Sequence, residues 1–367
     1  TEVNLNEISN YSNLESLEVV NTFDSDESIK SPLIAGGEGL GDSSSYDGSF
    51  SETTTASFSV DFAVGAVDGK DVTTGKTDGD EDLQATYGFQ IDLNTSFTGE
   101  DSLDISLDAG NAGGALSEFD LNATTSEALT VDGVSYTFPV GDVTVFVGDN
   151  TDGSSLFTTA CAYGGPSNTL DDCGAVKAGI TGGGVSIGAA YDFGNGFTTA
   201  AGAQFTESGI ATKENDDSYA LNLAYAGDNY GVSVTYANVE DSTGSTDDND
   251  RYTALNGYYS FDNGLSISAG YEIGDLDNAA SSADETESYF FGINGEVGPG
   301  ELGAAIGTYG TMTESSSVMP ERMMYEAYYS YAVNDGMTIT PLIYTVEGSS
   351  STDLDETGVM VKTSFSF

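Results

Sequence analysis

The sequence predicts an all-β chain, a transmembrane antiparallel β-barrel of about 16 strands, and three observations predict it. From residue 53 onward, segments of roughly ten residues alternate apolar and polar. The connections between those segments alternate short and long. The final segment carries the alternation onto an aromatic residue, Phe367.

The alternation can be followed residue by residue. Leu83, Ala85, Tyr87, Phe89, Ile91 and Leu93 interleave with Gln84, Thr86, Gly88, Gln90, Asp92 and Asn94. Tyr219, Leu221, Leu223 and Tyr225 enclose Ala220, Asn222 and Ala224, and Tyr230, Val232, Val234 and Tyr236 enclose Gly231, Ser233 and Thr235. Leu265, Ile267, Ala269, Tyr271 and Ile273 alternate with Ser266, Ser268, Gly270 and Glu272. A period of two places each set on one face of a strand. The apolar face often starts or ends in Tyr or Phe, as an aromatic girdle would.

A soluble sandwich alternates as well, but it has no reason to keep a parity of turns. Short connections fall at 98–100, 140–141, 192–196, 226–229, 261–264, 297–299 and 333–335, with longer acidic or Ser/Gly-rich loops between them. Counting back from Phe367 and forward from residue 53 predicts strands at 53–66, 84–97, 101–109, 133–140, 142–149, 183–192, 196–206, 216–226, 229–239, 250–261, 264–274, 285–296, 300–308, 322–333, 336–347 and 355–367. The two counts meet if 110–132 is one external loop. If Leu116 to Leu121 also spans, it needs a partner, and the count becomes about 18. Residues 1–52 lack this patterning and read as a polar N-terminal extension, periplasmic or lumenal, before a barrel over 53–367.

Composition bounds the function. The chain carries 60 acidic and 8 basic residues, a formal net charge of -52. Phosphate backbones would be repelled, so no nucleic-acid partner is expected. Disorder or a halophilic habit would also yield acidity, but 21 Tyr and 18 Phe are many for a chain that buries nothing. No run of about 18 apolar residues exists, so no membrane helix is expected. The chain starts at Thr1, as a processed exported chain would. Its two cysteines, Cys161 and Cys173, are expected to pair as a disulfide; without histidine they cannot complete a closed zinc site. The absence of His removes His-based triads, and the abundance of acids makes any chosen carboxylate pair uninformative, so no enzyme is expected.

Asp61, Asp92, Asp104, Asp108, Glu272 and Glu326 fall on the inward face of their strands, with Lys362 the clearest inward base. Acid-lined pores favour cations. A wide, water-filled lumen with weak to moderate cation preference is therefore expected, and no cofactor. Acids in the first loop (Asp78, Asp80, Glu81, Asp82) and the fifth (Asp247, Asp248, Asp250) are weak Ca²⁺ candidates that lipopolysaccharide could share; solvated charge is the plainer reading.

The closing segment sets Val359, Val361, Thr363, Phe365 and Phe367 against Gly358, Met360, Lys362, Ser364 and Ser366. It resembles the C-terminal signal by which bacterial outer-membrane proteins are recognised by the barrel assembly machinery, with Phe365 and Phe367 carrying it. The segment SYTFPVGDVTVFVG, Ser135 to Gly148, followed by a long loop, resembles porins of cyanobacteria, near the carbohydrate-selective and iron-uptake families. The opening VNLNEISNYSN is similar to the mature start of porins from marine unicellular members of that group. The resemblance implies passive diffusion of small hydrophilic solutes and inorganic ions, commonly through a homotrimer in the outer membrane. Many such porins carry a surface-layer homology module and a coiled coil before the barrel; neither is seen here.

The third external loop, 150–181, then resembles the constriction loop of general porins, with Asp152, Cys161, Asp171, Asp172 and Cys173 as its candidates. A disulfide there would stiffen it or simply protect it from proteolysis. The alternatives are a secreted acidic β-rich surface or Ca²⁺-dependent binding protein, and a plugged barrel serving as receptor or adhesin.

Overall fold

The computed structural model describes residues 53–69, 82–112, 114–121, 127–210, 212, 215–241, 248–277, 284–313, 321–348 and 355–367. Asp78, Asp80, Glu81, Asp247 and the extension 1–52 lie outside them.

The strands follow the alternation. They are β1 Thr54–Asp68, β2 Gln84–Thr95, β3 Ser102–Gly110, β4 Thr130–Val140, β5 Val143–Thr151 and β6 Gly184–Gly194. They continue as β7 Phe197–Phe205, β8 Asp217–Ala226, β9 Tyr230–Asp241, β10 Asp248–Ser260, β11 Leu265–Asp275 and β12 Glu285–Val297. Last come β13 Gly300–Thr308, β14 Met312–Thr313, β15 Met323–Asn334, β16 Met337–Val346 and β17 Glu356–Ser366. All pair antiparallel in one sheet, and β14 is a two-residue ladder on the upper end of β12. The other 16 close a barrel, because β1 pairs with both β2 and β17. The seam runs from Ser59↔Ser366 to Asp68↔Thr357, leaving no open sheet edge among the described residues.

The spanning count is the lower of the two expected. Leu116 to Leu121 does not cross: Gly114–Leu116 form a 3-10 turn, and Phe119 bridges Ser167 of the third loop.

Two faces follow from the period of two. Outward side chains are apolar and exposed, including Phe62 at 50% and Leu221 at 60%. In water such a wall would be an aggregation surface; in lipid it is the stable choice. Aromatic rings crowd the short-turn rim: Tyr191 against Phe193, Phe197 against Tyr225, and Tyr259 against Phe261, all with centroids under 5 Å apart. Tyr219, Tyr236, Tyr271, Tyr289 and Tyr325 mark the loop rim, so the wall carries girdles at both levels.

The core sits inside the barrel. Leu116, Phe119, Leu121, Tyr163 and Leu170 come from loops and pack on Phe290, Met324, Tyr328, Leu342, Tyr344 and Met360 of the wall. A second cluster joins Ala178 and Ile180 of the third loop to Ala220, Ala237, Tyr252 and Ala254. The lumen predicted to be wide and water-filled is therefore partly occupied. One side is filled by loops, and the wall beneath them is apolar because it has something to pack against. Removing a ring such as Phe119 (2% exposed) would cost about 3–5 kcal/mol.

Candidate functional site

The third loop leaves β5, crosses the lumen and returns to β6. Inward polar residues on successive strands hold its backbone. The Gly153 N–H donates to Gln204 Oε1 at 3.2 Å, and Ala160 N–H to Ser233 Oγ at 2.9 Å. Ala162 N–H and Tyr163 N–H both donate to Ser268 Oγ, at 2.9 and 3.2 Å. On the return, Asn256 Nδ2 donates to Cys173 O and Ser288 Oγ to Gly174 O, at 2.8 and 2.9 Å. Gly174 has φ +79° and lies against Phe290, so both conformation and space favour glycine there. A loop buried in a lumen must satisfy its backbone, and here the wall does so in place of water.

The cysteines do pair. Cys161 and Cys173 form a disulfide inside this loop, with Cα atoms 6.4 Å apart. It joins the outgoing leg, held by Ser233 and Ser268, to the returning leg, held by Asn256 and Ser288. Asp152 closes the loop at its base, accepting the Gly182 N–H at 3.0 Å.

The loop between β3 and β4 also turns inward. Its Asp120 N–H donates to Pro166 O, and Asn168 N–H donates to Glu118 O, at 3.0 and 3.1 Å. Buried Glu118 accepts from Tyr309 OH at 2.8 Å and from Thr169 Oγ1 at 3.0 Å. Burial pushes the Glu118 carboxyl above its ordinary range, against those two donors. Lys362 Nζ donates to Asp120 O at 2.8 Å and lies 5.9 Å from the Phe119 ring centroid.

The register places every predicted lumen charge inward, but it gives them two different environments. Glu272 is 1% exposed and accepts the N–H groups of Lys177 and Ala178. Glu326 is buried under Tyr163, whose hydroxyl donates to it at 2.5 Å. These two are loop clamps and not pore-lining charges, because the third loop lies over them. Asp61 and Asp108 are likewise buried. Lys362 serves the second inward loop.

Asp92 and Asp104 remain half-open on the other side. Ser106 Oγ donates to Asp92 at 2.7 Å, and Asn94 and Ser102 donate to Asp104. Asp104, Asp132 and Asp152 line a polar cavity of about 520 Å³ between the β3–β5 wall and the base of the third loop. Asp171 and Asp172 are exposed on the loop. The surrounding protein, then Asp172 and Asp120, raise Asp171 to about 7; the surrounding protein, then Asp152, raise Asp172 to about 6.

Asp132 and Glu118 were not among the expected site residues. Asp132 sits at a strand irregularity between β3 and β4, where alternation assigns no face. Glu118 lies in a segment without spanning periodicity. Asp82 is exposed, and Asp250 accepts the Asp277 N–H. Among the described residues, no group of three or more acids or cysteines is arranged to hold a metal ion. Phe365 faces outward beside Phe62, and Phe367 stacks on Phe58 at 5.7 Å.

No family model and no curated relative matches the chain. Solved structures do. A mutant of the Rh. blastica porin aligns over 86% of this chain and 100% of its own, with a TM-score of 0.55 and 12% identity. The fold is that of the porins. OprB of Pseudomonas putida aligns over 86% of this chain and 94% of its own, with a TM-score of 0.62 and 11% identity. A loop-deletion mutant of OmpT, an outer membrane protein of Vibrio cholerae, covers 86% and 99%, with a TM-score of 0.60 and 11% identity. In this porin fold, inward loops fill one sector of the lumen and the acid-lined cavity lies beside the base of the third loop.

Proposed function

We propose that this chain is an outer-membrane diffusion pore that passes small hydrophilic solutes and inorganic ions and prefers cations. One observation carries the reading. The open part of the lumen is bounded by Asp104, Asp132 and Asp152, with Asp92 nearby, while strands β2–β9 carry no Lys or Arg. Fixed negative charge on one side of a narrow aqueous path raises cation concentration there and lowers that of anions. The mechanism is passive: size selection by the inward loops, charge selection by the acid wall, and no bond made or broken.

The outward apolar belt and its girdles support residence in the bacterial outer membrane. The resemblance of residues 135–148 to cyanobacterial porins supports a place near that group, a homotrimer, and lipopolysaccharide as the lipid neighbour. Loop-bound Ca²⁺ shared with that lipid extends the reading, resting on the acids of the first and fifth loops.

Planar-bilayer recording tests it. Purified, unboiled protein is expected to open channels whose reversal potential in a KCl gradient has the sign of cation selectivity. Anion selectivity overturns the reading of the acid wall. A heat-modifiable barrel that never conducts would favour a plugged receptor over a pore.

A further inference from the structure

The polar anchors explain what holds the third loop, but not how it lies so close to the wall. The inward residues under it are small. Gly202 on β7 faces the start of the loop, and a β-carbon there would collide with the Gly153 carbonyl oxygen. Gly270 on β11 faces the Cys173 carbonyl oxygen, and a β-carbon would collide with it as well. On β12, a β-carbon at Gly292 would stand 2.7 Å from the Tyr163 ring and 2.6 Å from the Phe290 ring. At Gly307 on β13 it would stand 2.8 Å from Leu170 Cδ2. Between these strands the track continues with Ala220, Ala237 and Ala254, all buried beneath the loop.

The hydrogen bonds are registered to this track. Ser268 and Gly270 are successive inward residues of β11, and each meets the loop backbone, one with its hydroxyl and one with its bare α-carbon. Serine supplies the bond, and glycine supplies the clearance that lets the bond be short.

We propose that Gly202, Gly270 and Gly292 are positioning residues that set how far the third loop stands off the barrel wall, and thereby how much of the lumen stays open. The proposal rests on the pore reading above. The acid-lined cavity lies between β3–β5 and the base of the third loop, on the far side of the ring from β11, so a loop pushed off β11, or displaced at its start by β7, moves toward it. A single methyl group under a carbonyl oxygen cannot be accommodated without movement of the loop or the wall.

Gly188 on β6 provides an internal control. It faces inward under the same loop, yet its nearest loop atom, Leu156 Cδ1, would lie 3.7 Å from an added β-carbon, an ordinary contact. Single-channel conductance is to be measured for Gly202→Ala, Gly270→Ala, Gly292→Ala and Gly188→Ala, with heat-modifiable mobility showing that each barrel is formed. The expected result is a loss of conductance in the first two variants with Gly188→Ala unchanged. If Gly202→Ala or Gly270→Ala yields no folded barrel, Gly292→Ala decides, since the rings it meets can shift and the barrel can close. Unchanged or increased conductance in the folded variants overturns the positioning role. A wild-type protein without conductance overturns the pore reading instead, so the two failures are distinct.

Discussion

Asn222 of β8 and Thr158 of the third loop are joined by a reciprocal pair of hydrogen bonds. The Thr158 N–H donates to Asn222 Oδ1 at 3.1 Å, and Asn222 Nδ2 donates back to Thr158 O at 3.2 Å. The same Nδ2 also donates to Thr235 Oγ1 on β9 at 2.8 Å. One amide thus matches both backbone groups of a loop residue, as a neighbouring strand would. Asn222→Leu would remove that match and leave Thr158 without it, at a cost of about 1–3 kcal/mol per unsatisfied group. The expected outcome is a folded barrel with increased open-channel noise, read from current variance at constant voltage.

The disulfide makes a separate prediction. It closes a short loop segment whose two legs are already fixed to different strands. Cys161→Ser with Cys173→Ser is expected to lower loop stability by about 2–4 kcal/mol while the barrel still forms. Proteolysis of the folded protein, scored at sites within 152–183, should become measurable only in the variant.

Selectivity should track the acid wall. Asp104→Asn, Asp132→Asn and Asp152→Asn, combined, remove the charges that border the open cavity and keep the volumes. The reversal potential in a salt gradient should move toward zero, and more so at low ionic strength, where screening extends to about 30 Å. Glu272→Gln should leave that potential unchanged, because Glu272 lies under the loop.

pH gives a further check. Asp171 and Asp172 are raised to about 7 and about 6. They are charged above those values and neutral below, so cation preference should fall as pH drops from 8 to 5. Asp171→Asn with Asp172→Asn should flatten that dependence.

The turn between β2 and β3 offers a test of barrel stability. Buried Asp101 accepts from Ser96 Oγ, the Phe97 and Thr98 N–H groups, Thr98 Oγ1 and Tyr136 OH. The Tyr136 hydroxyl foremost, with Thr98 and Ser96, holds its carboxyl well below the usual carboxylate range. The depressed folded value means that its stabilising contribution is complete above the unfolded pKa and is lost as pH falls through the folded one. Asp101→Ala should lower the temperature at which the barrel loses its heat-resistant mobility, and neutral pH should show the largest gap from wild type.

The barrel itself was legible in the sequence, since a strand's two faces are written in its own residues. Leu221 and Asn222 announce opposite sides without knowledge of any neighbour. The contents of the lumen were not legible in that way. Alternation sends Glu272 and Asp104 equally inward, and only the path of a loop far away in the chain decides that one clamps backbone while the other meets water. Leu116, Phe119 and Leu170 sit in stretches with no period because each packs against several distant strands at once. Asp132 escaped notice for a similar reason: a register shift between Ser106 and Leu107 breaks the rule that would have assigned its face.

The seam between β1 and β17 bears on the order in which the molecule is built. It couples Asp61 to Ser364, and the remaining wall pairings are between neighbours in the chain. Local hairpins can form early, but this one contact joins partners from opposite ends of the barrel sequence and carries the largest entropic delay. Until it forms, two adhesive edges stand open to any other strand in reach. Closure is therefore the step at which a sticky ribbon becomes an inert cylinder, and slowing it is the most direct route to aggregation.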